Sequence, residues 1–219
     1  MKSIFSRHVN QISTVLVLLG FLTLAITFAP IFIEELNYRL AQAQPQKEIL
    51  IPDSEDDIKN LTKDPEVVEQ KTILIPDNFD FSLVIPKIGI NARIFPNINS
   101  GDPGEYLPIL KKGAAHALNS SLPDQPGPVF IFAHSTDNFY NISRYNAVFF
   151  LLRKLKPGED IYVFYNNKKY HYQVNDQKIV DPDEIPSIVS SIKDDTLVLQ
   201  TCYPPGTTMN RLLLFAKLK

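Results

Sequence analysis

Thr196-Leu197-Val198-Leu199-Gln200-Thr201-Cys202, followed by Tyr203-Pro204-Pro205-Gly206 and then by Arg211-Leu212-Leu213-Leu214-Phe215-Ala216-Lys217-Leu218, stands at the end of the 219-residue sequence and decides its fold. Two short apolar runs separated by a Pro/Gly cluster read as β-strands. Paired as a hairpin across residues 203–210, they bring Cys202, at the end of one strand, close to Arg211, at the start of the next. In the second strand Leu212, Leu214, Ala216 and Leu218 share one face, and Arg211, Leu213, Phe215 and Lys217 share the other.

Upstream the pattern repeats. Short apolar or alternating runs punctuated by Pro, Gly and Asn predict strands at 82–90, 92–95, 129–133, 160–165 and 168–174. Asn166-Asn167 separates two of them, and because Asn tolerates positive φ it suits a tight two-residue hairpin turn. One clear helix is expected, capped by Ser143, carrying Ala147, Phe149, Phe150, Leu151 and Leu152, and ending before Pro157-Gly158. Residues 79–219 thus read as a mainly β domain of barrel or sandwich type with one or two short helices.

The rest of the chain has a different composition. Residues 41–78 carry nine acidic and four basic side chains and no glycine or aromatic residue, whereas 18 of the 23 aromatics fall after residue 78. Only the aromatic-rich part can bury a large core, so residues 34–78 read as an acidic, disordered linker. As a flexible chain, 41–78 would reach roughly 35 Å. Within it Ile49-Leu50-Ile51-Pro52-Asp53 recurs as Ile73-Leu74-Ile75-Pro76-Asp77. The recurrence is either chance in a short Ile/Pro-biased segment or a peptide that docks on the protein's own groove or sheet edge. The formal charge is +1 over 1–40, −5 over 41–78 and +2 over 79–219, so no block is basic enough to hold nucleic acid by counterion release.

Residues 12–33 run 22 positions without a charge, 16 of them apolar. As a helix this run would extend about 33 Å at ~1.5 Å per residue, enough for the ~30 Å hydrocarbon core of a bilayer. A cleaved signal peptide has a shorter apolar core and small residues at its cleavage site, where this chain has Pro30, Phe32 and Ile33. A transmembrane anchor over 12–33 is expected. Lys2 and Arg7 before it and Glu34 and Glu35 after it leave residues 1–11 in the cytoplasm and the remainder outside the cell membrane.

Cys202 is the single cysteine, which excludes an intramolecular disulfide. A free cysteine can simply pack as a small hydrophobe, but one that ends a strand and opens into a rigid loop occupies a usual place for a catalytic residue. A thiol with pKa ~8.5 needs a basic or electropositive neighbour to act as a nucleophile near neutrality. Of four histidines, His8 falls on the cytoplasmic side and His171 lies in a strand between Tyr170 and Tyr172. His134 ends the run Val129-Phe130-Ile131-Phe132-Ala133 and opens into a loop, as Cys202 does, and is preferred over His116 on that ground. Arg211 suits an oxyanion partner, or is a solvated arginine at a strand start.

These residues fall into a known order. The chain resembles the sortases, membrane-anchored cysteine transpeptidases of bacterial surfaces. The matching stretches are Ile85-Pro86-Lys87-Ile88-Gly89-Ile90, Ala133-His134-Ser135 for the Gly-His-Ser/Thr motif, Leu199-Gln200-Thr201-Cys202 for Leu-x-Thr-Cys, and Arg211. The resemblance covers about residues 80–219 and departs at Ala133, where the family has glycine, and at Pro123-Asp124-Gln125-Pro126-Gly127-Pro128. The pilus-polymerising subclass is disfavoured, because Asp64-Pro65 is followed by Glu66 rather than an aromatic residue and no second anchor follows the last strand.

The resemblance implies a closed sortase-type β-barrel. It further implies that Cys202 is the nucleophile, His134 the general acid/base and Arg211 the group that holds the oxyanion or substrate, with no metal or organic cofactor. Thr201, Tyr203 and Leu213 are the expected substrate contacts. The expected partners are surface proteins with a C-terminal sorting signal similar to Leu-Pro-x-Thr-Gly and an amine acceptor on cell-wall peptide or another protein. The alternatives are a thiol hydrolase on the same scaffold and a non-catalytic, membrane-tethered β binding module.

Overall fold

The computed structural model describes residues 2–43, 48–61, 63, 71–136 and 147–219. The chain divides into two units, Met1–Ala43 and Gln44–Lys219.

The first unit is one helix, α1 (Lys2–Ala43), which contains the whole uncharged run. Val15, Leu16, Val17, Leu18 and Leu19 are each more than half exposed. Five successive residues at 100° intervals encircle a helix, so its apolar surface is not a stripe facing one partner. Two hydroxyls within the run are satisfied by the helix itself: Thr23 donates to Gly20 O at 2.8 Å and Thr27 to Thr23 O at 2.7 Å. Among the described residues no helix is long and apolar enough to cross a membrane, so the span expected over 12–33 rests on the sequence.

The second unit begins with β1 (Glu48–Leu50), α2 (Glu55–Leu61) and β2 (Lys71–Ile73). Next come β3 (Phe81–Ile85), β4 (Ile90–Ile98), α3 (Pro103–Leu110), β5 (Ala114–Ala117) and β6 (Val129–Phe132). The remainder is β7 (Asp160–Tyr165), β8 (Lys168–Val180), α4 (Ile185–Ser191), β9 (Thr196–Tyr203) and β10 (Asn210–Leu218). Strands β3–β10 close a barrel in the order β10-β8-β7-β3-β4-β5-β6-β9, while β1 and β2 form a separate parallel pair. The expected closed barrel is therefore present.

Its strands are more broken and more numerous than their sequence suggested. The strand expected over 82–90 is split by a 3-10 turn, Pro86–Ile88, because Pro86 has no N–H for a ladder and Gly89 turns the chain at φ 65°. Asn166 and Asn167 make the expected β7–β8 turn, with φ of 49° and 59°. β5 was not foreseen: its four residues, Ala-Ala-His-Ala, carry no β-branched signal, but small side chains let it lie close to β4. A Cβ at Gly113 would strike the carbonyl of Arg93, so that approach requires glycine.

The helix expected after Ser143 is not found in its described part. Residues 148–151 form turns followed by a 3-10 segment, Leu152–Lys154, and the remainder of the expected helix lies outside the described residues. Phe149, Leu152 and Leu155 are buried all the same. Their apolar character served the core without specifying a helix.

Two helices that do form escaped the sequence reading. In α3 Asp102 caps the N-terminus, accepting from Gly104 N–H at 2.8 Å, with Pro103 in the first turn. Before α4, Asp181 and Glu184 form a capping box, and Ile185, Ile188, Val189 and Ile192 follow at helical spacing. Both helices cover one outer face of the sheet, where Phe130, Phe132, Val198 and Leu213 are buried. Leu197 and Leu199 alternate to the other face, into the barrel.

The described parts of the linker are ordered, which corrects the expectation of disorder for residues 48–61 and 71–78. Ile51, Ile58 and Leu74 pack against Phe79, Val84 and Phe164 of the barrel. The acidic composition suggested too little burial, but the two Ile-Leu-Ile-Pro segments concentrate the apolar surface that ordering needs. Residues 64–70, with Asp64-Pro65-Glu66, lie outside the described residues.

Candidate active site

Three neighbouring strands build the site. β9 and β10 pair antiparallel with Cys202 directly opposite Arg211. β6 runs parallel to β9 with Phe132 opposite Gln200. The alignment continues past that pair, since Ala133 N–H donates to Gln200 O at 3.2 Å. Thr201 Oγ1 then donates to Ala133 O at 2.9 Å. His134 and Cys202 are therefore brought level at the ends of parallel strands, as their matching positions after apolar runs had suggested.

His134, Cys202 and Arg211 line one cleft of about 220 Å³. Tyr106 and Leu107 of α3 form one side, and Thr207 and Thr208 of the β9–β10 loop the other. The cleft lies on the same outer face as the helix-covered cluster, because Val198, Gln200 and Cys202 alternate to that side of β9. Tyr106 is fixed edge-on to Phe132, with ring centroids 6.1 Å apart at 81°. The α3 contribution was missed from sequence, although Asp102-Pro103-Gly104-Glu105 carries a helix-start signature.

Arg211 is held by its own loop. Its Nη1 donates to Thr208 O at 3.0 Å and to Asn210 O at 3.1 Å. Among the described residues these are the hydrogen bonds of its side chain, which leaves Nη2 and Nε with donor capacity for a bound group. Burial pushes the Cys202 thiol above the ordinary thiol range, and the Arg211 charge opposes that rise. Burial at this position thus favours the protonated thiol. Iodoacetamide alkylation of Cys202 should rise with pH to a midpoint above that of a free thiol, and Arg211→Ala should move the midpoint higher still. A midpoint below the free-thiol range would contradict this arrangement.

The remaining candidates separate clearly. His116 is fully buried in β5. Its Nδ1 accepts from Asn97 N–H at 3.3 Å, which places the proton on Nε2, 3.0 Å from Ser121 O. Burial holds its pKa below the usual histidine value, with the Ser121 bond opposing. His171 pairs with Asp160 at 2.8 Å and stacks on Tyr162, on the opposite stretch of β8 from Arg211's partner Val180.

Thr201 lines the cleft, but its hydroxyl is committed to Ala133. Tyr203 is half-buried opposite Asn210. Leu213, expected at the substrate, is 0% exposed and packs with Phe130, Phe132 and Val198. The correction follows from α3 and α4 covering the face it shares with Arg211. Ala133 needs no glycine-like backbone and simply prolongs β6, so this departure from the motif leaves the strand end intact.

The sortase domain model matches residues 83–219, and the chain belongs to the sortase family. Members of this family are in general cysteine transpeptidases that anchor surface proteins. Sortase D of Bacillus subtilis is 26% identical over 183 residues, which is 82% of this chain and 79% of that protein. Sortase A of Listeria monocytogenes is 23% identical over 138 residues, 63% of this chain and 55% of that protein. A pilus-related sortase C of Group B Streptococcus superposes with a TM-score of 0.52 at 28% identity, over 65% of this chain and 68% of that one. Sortase C-1 of Actinomyces oris shares the fold, with a TM-score of 0.54 at 23% identity over 86% and 98% of the two chains.

Proposed function

We propose that this protein is a cysteine transpeptidase that cleaves a sorting signal similar to Leu-Pro-x-Thr-Gly and joins the acyl part to an amine. The observation that carries the reading is the register that sets Cys202 opposite Arg211 and level with His134 around one cleft. Cys202 passes its thiol proton to His134 on engagement and attacks the scissile carbonyl, and the carbonyl oxygen becomes an oxyanion facing Arg211. Protonated His134 gives its proton to the departing amine as the C–N bond breaks and a thioester forms. The acceptor amine then attacks the thioester, passes a proton to His134 and expels the Cys202 thiolate. The product is a new amide.

Water at tens of molar competes with the amine, so transfer requires a site that positions the amine and limits water. Tyr106, Leu107 and Leu110 supply an apolar wall on the α3 side of the cleft. An acyl-enzyme trapped at Cys202 should therefore decay faster on addition of millimolar glycine-type amines and yield the ligated peptide as main product by mass spectrometry. Amine-independent decay to the free acid would instead make the protein a hydrolase.

The same reading places α1 in the cell membrane, with its N-terminus cytoplasmic and the barrel outside. Supporting it are the apolar surface exposed around the helix and the Thr23 and Thr27 hydroxyls satisfied within it, as hydrocarbon requires. Protease added to intact spheroplasts should remove the C-terminal unit and spare an N-terminal tag. Protection of the C-terminal unit would reverse the orientation.

A further inference from the structure

The repeated pentapeptide is gripped by the barrel at corresponding positions in both copies. In the first, Lys169 Nζ of β8 donates to the carbonyl of the third residue, Ile51, at 2.9 Å and forms an ion pair with the fifth, Asp53. In the second, Asn91 Nδ2 of β4 donates to the carbonyl of the third residue, Ile75, at 2.7 Å, and Asn91 Oδ1 accepts from the N–H of the fifth, Asp77, at 2.7 Å. The fourth residue, Pro52 or Pro76, is buried in each. One barrel side chain thus holds positions three and five of each copy.

The copies also hold each other. β1 and β2 pair in parallel with Leu50 opposite Ile73, one residue out of step with the repeat, and Leu74 N–H donates to Leu50 O at 2.8 Å. The offset is what makes the pair useful. It sets Ile51 beside Leu74 on one face, and both pack on the cluster of Phe79, Val84 and Phe164. In the barrel order β8-β7-β3-β4, the two gripping side chains lie on the strands that flank the two beneath this cluster.

We infer that Ile-Leu-Ile-Pro-Asp is an intramolecular docking unit and that the barrel carries two seats for it, one at Lys169 and one at Asn91. Docking converts most of the acidic spacer from a tether into a mount. The membrane reading of α1 is a separate proposal. The docking itself is independent of that reading.

Hydrogen exchange on the full-length chain tests it. The Leu74 amide, bonded across the β1–β2 pair, should exchange about tenfold faster in Lys169→Met and in Asn91→Ala, and faster again in the double variant. Amides of β3 and β7, such as those of Leu83 and Val163, should keep their protection, and Cys202 should keep its alkylation rate. Lys169→Arg, which retains a donor and a charge, should restore protection, whereas Asn91→Asp, which loses the donor to Ile75, should not. Unchanged Leu74 exchange in the double variant would overturn the inference. Equal loss of protection in the barrel strands would also overturn it, by making the segment an inseparable part of one cooperative fold.

Discussion

Cys202→Ala and His134→Ala should each lower peptide transfer by about 10⁴-fold or more, while His116→Ala keeps most of the activity at permissive temperature. A nucleophile and its acid/base act as one unit, so removing either costs nearly as much as removing both. Both residues line the cleft, whereas His116 is fully buried and bonded to Asn97 and Ser121. The cost of His116→Ala should appear in the melting temperature, because a fully buried ring is replaced by a methyl group and the Asn97 N–H and Ser121 carbonyl lose their partner.

His116 also sets a direction for pH. Folding lowers its pKa and so favours the neutral ring. Its contribution is complete above the unfolded value of about 6.5 and is lost as the pH falls from there toward the folded value. Thermal melts should show this acid-side loss in the wild type and less of it in His116→Gln. If His116→Ala were inactive and His134→Ala active, the assignment of the base would be reversed.

Arg211→Ala should lower kcat by about 10²–10³ with a smaller change in KM, the signature of a donor that acts mainly on the transition-state oxyanion. The geometry makes the substitution specific. Nη1 is spent on Thr208 O and Asn210 O, so the guanidinium is oriented by its own loop at the wall of the cleft and keeps its other nitrogens as donors. Arg211→Lys should recover little, since a single ammonium cannot both hold the loop carbonyls and present fixed donors beside Cys202. The same variants should raise the Cys202 pKa in the order wild type, Lys, Ala, because Lys retains part of the charge. Turnover at the wild-type rate in Arg211→Ala would reduce Arg211 to a loop anchor.

Local periodicity and chain order made much of this site legible. Two apolar runs, 129–133 and 196–201, are each followed by a residue capable of chemistry, His134 and Cys202, and Arg211 stands at the start of the next run. Strand ends at the same level of one sheet are enough to bring such residues together, which is why position favoured His134 over His116, whereas the roles of Cys202 and Arg211 came from the resemblance to the sortase motifs. The Asn166-Asn167 turn was readable for a related reason: positive φ is a property of the residue and not of its surroundings.

What needed the tertiary structure were the elements whose sequence does not match their conformation. Ala114–Ala117 is a strand because β4 and β6 lie on either side of it. Leu213 is covered because α3 and α4 lie on its face, whereas alternation along β10 could say only that it shares that face with Arg211. The stretch around Phe149 to Leu155 has the apolar content of a helix, yet its residues enter the core from turns. The described parts of the acidic spacer are ordered because Lys169 and Asn91, 118 and 16 residues from the carbonyls they bind, supply partners that no local reading contains. Sequence determined which residues have period, charge and turn character, since those are local. Burial and long-range hydrogen bonding decided the rest, because the partner that satisfies each group is fixed only when distant segments meet.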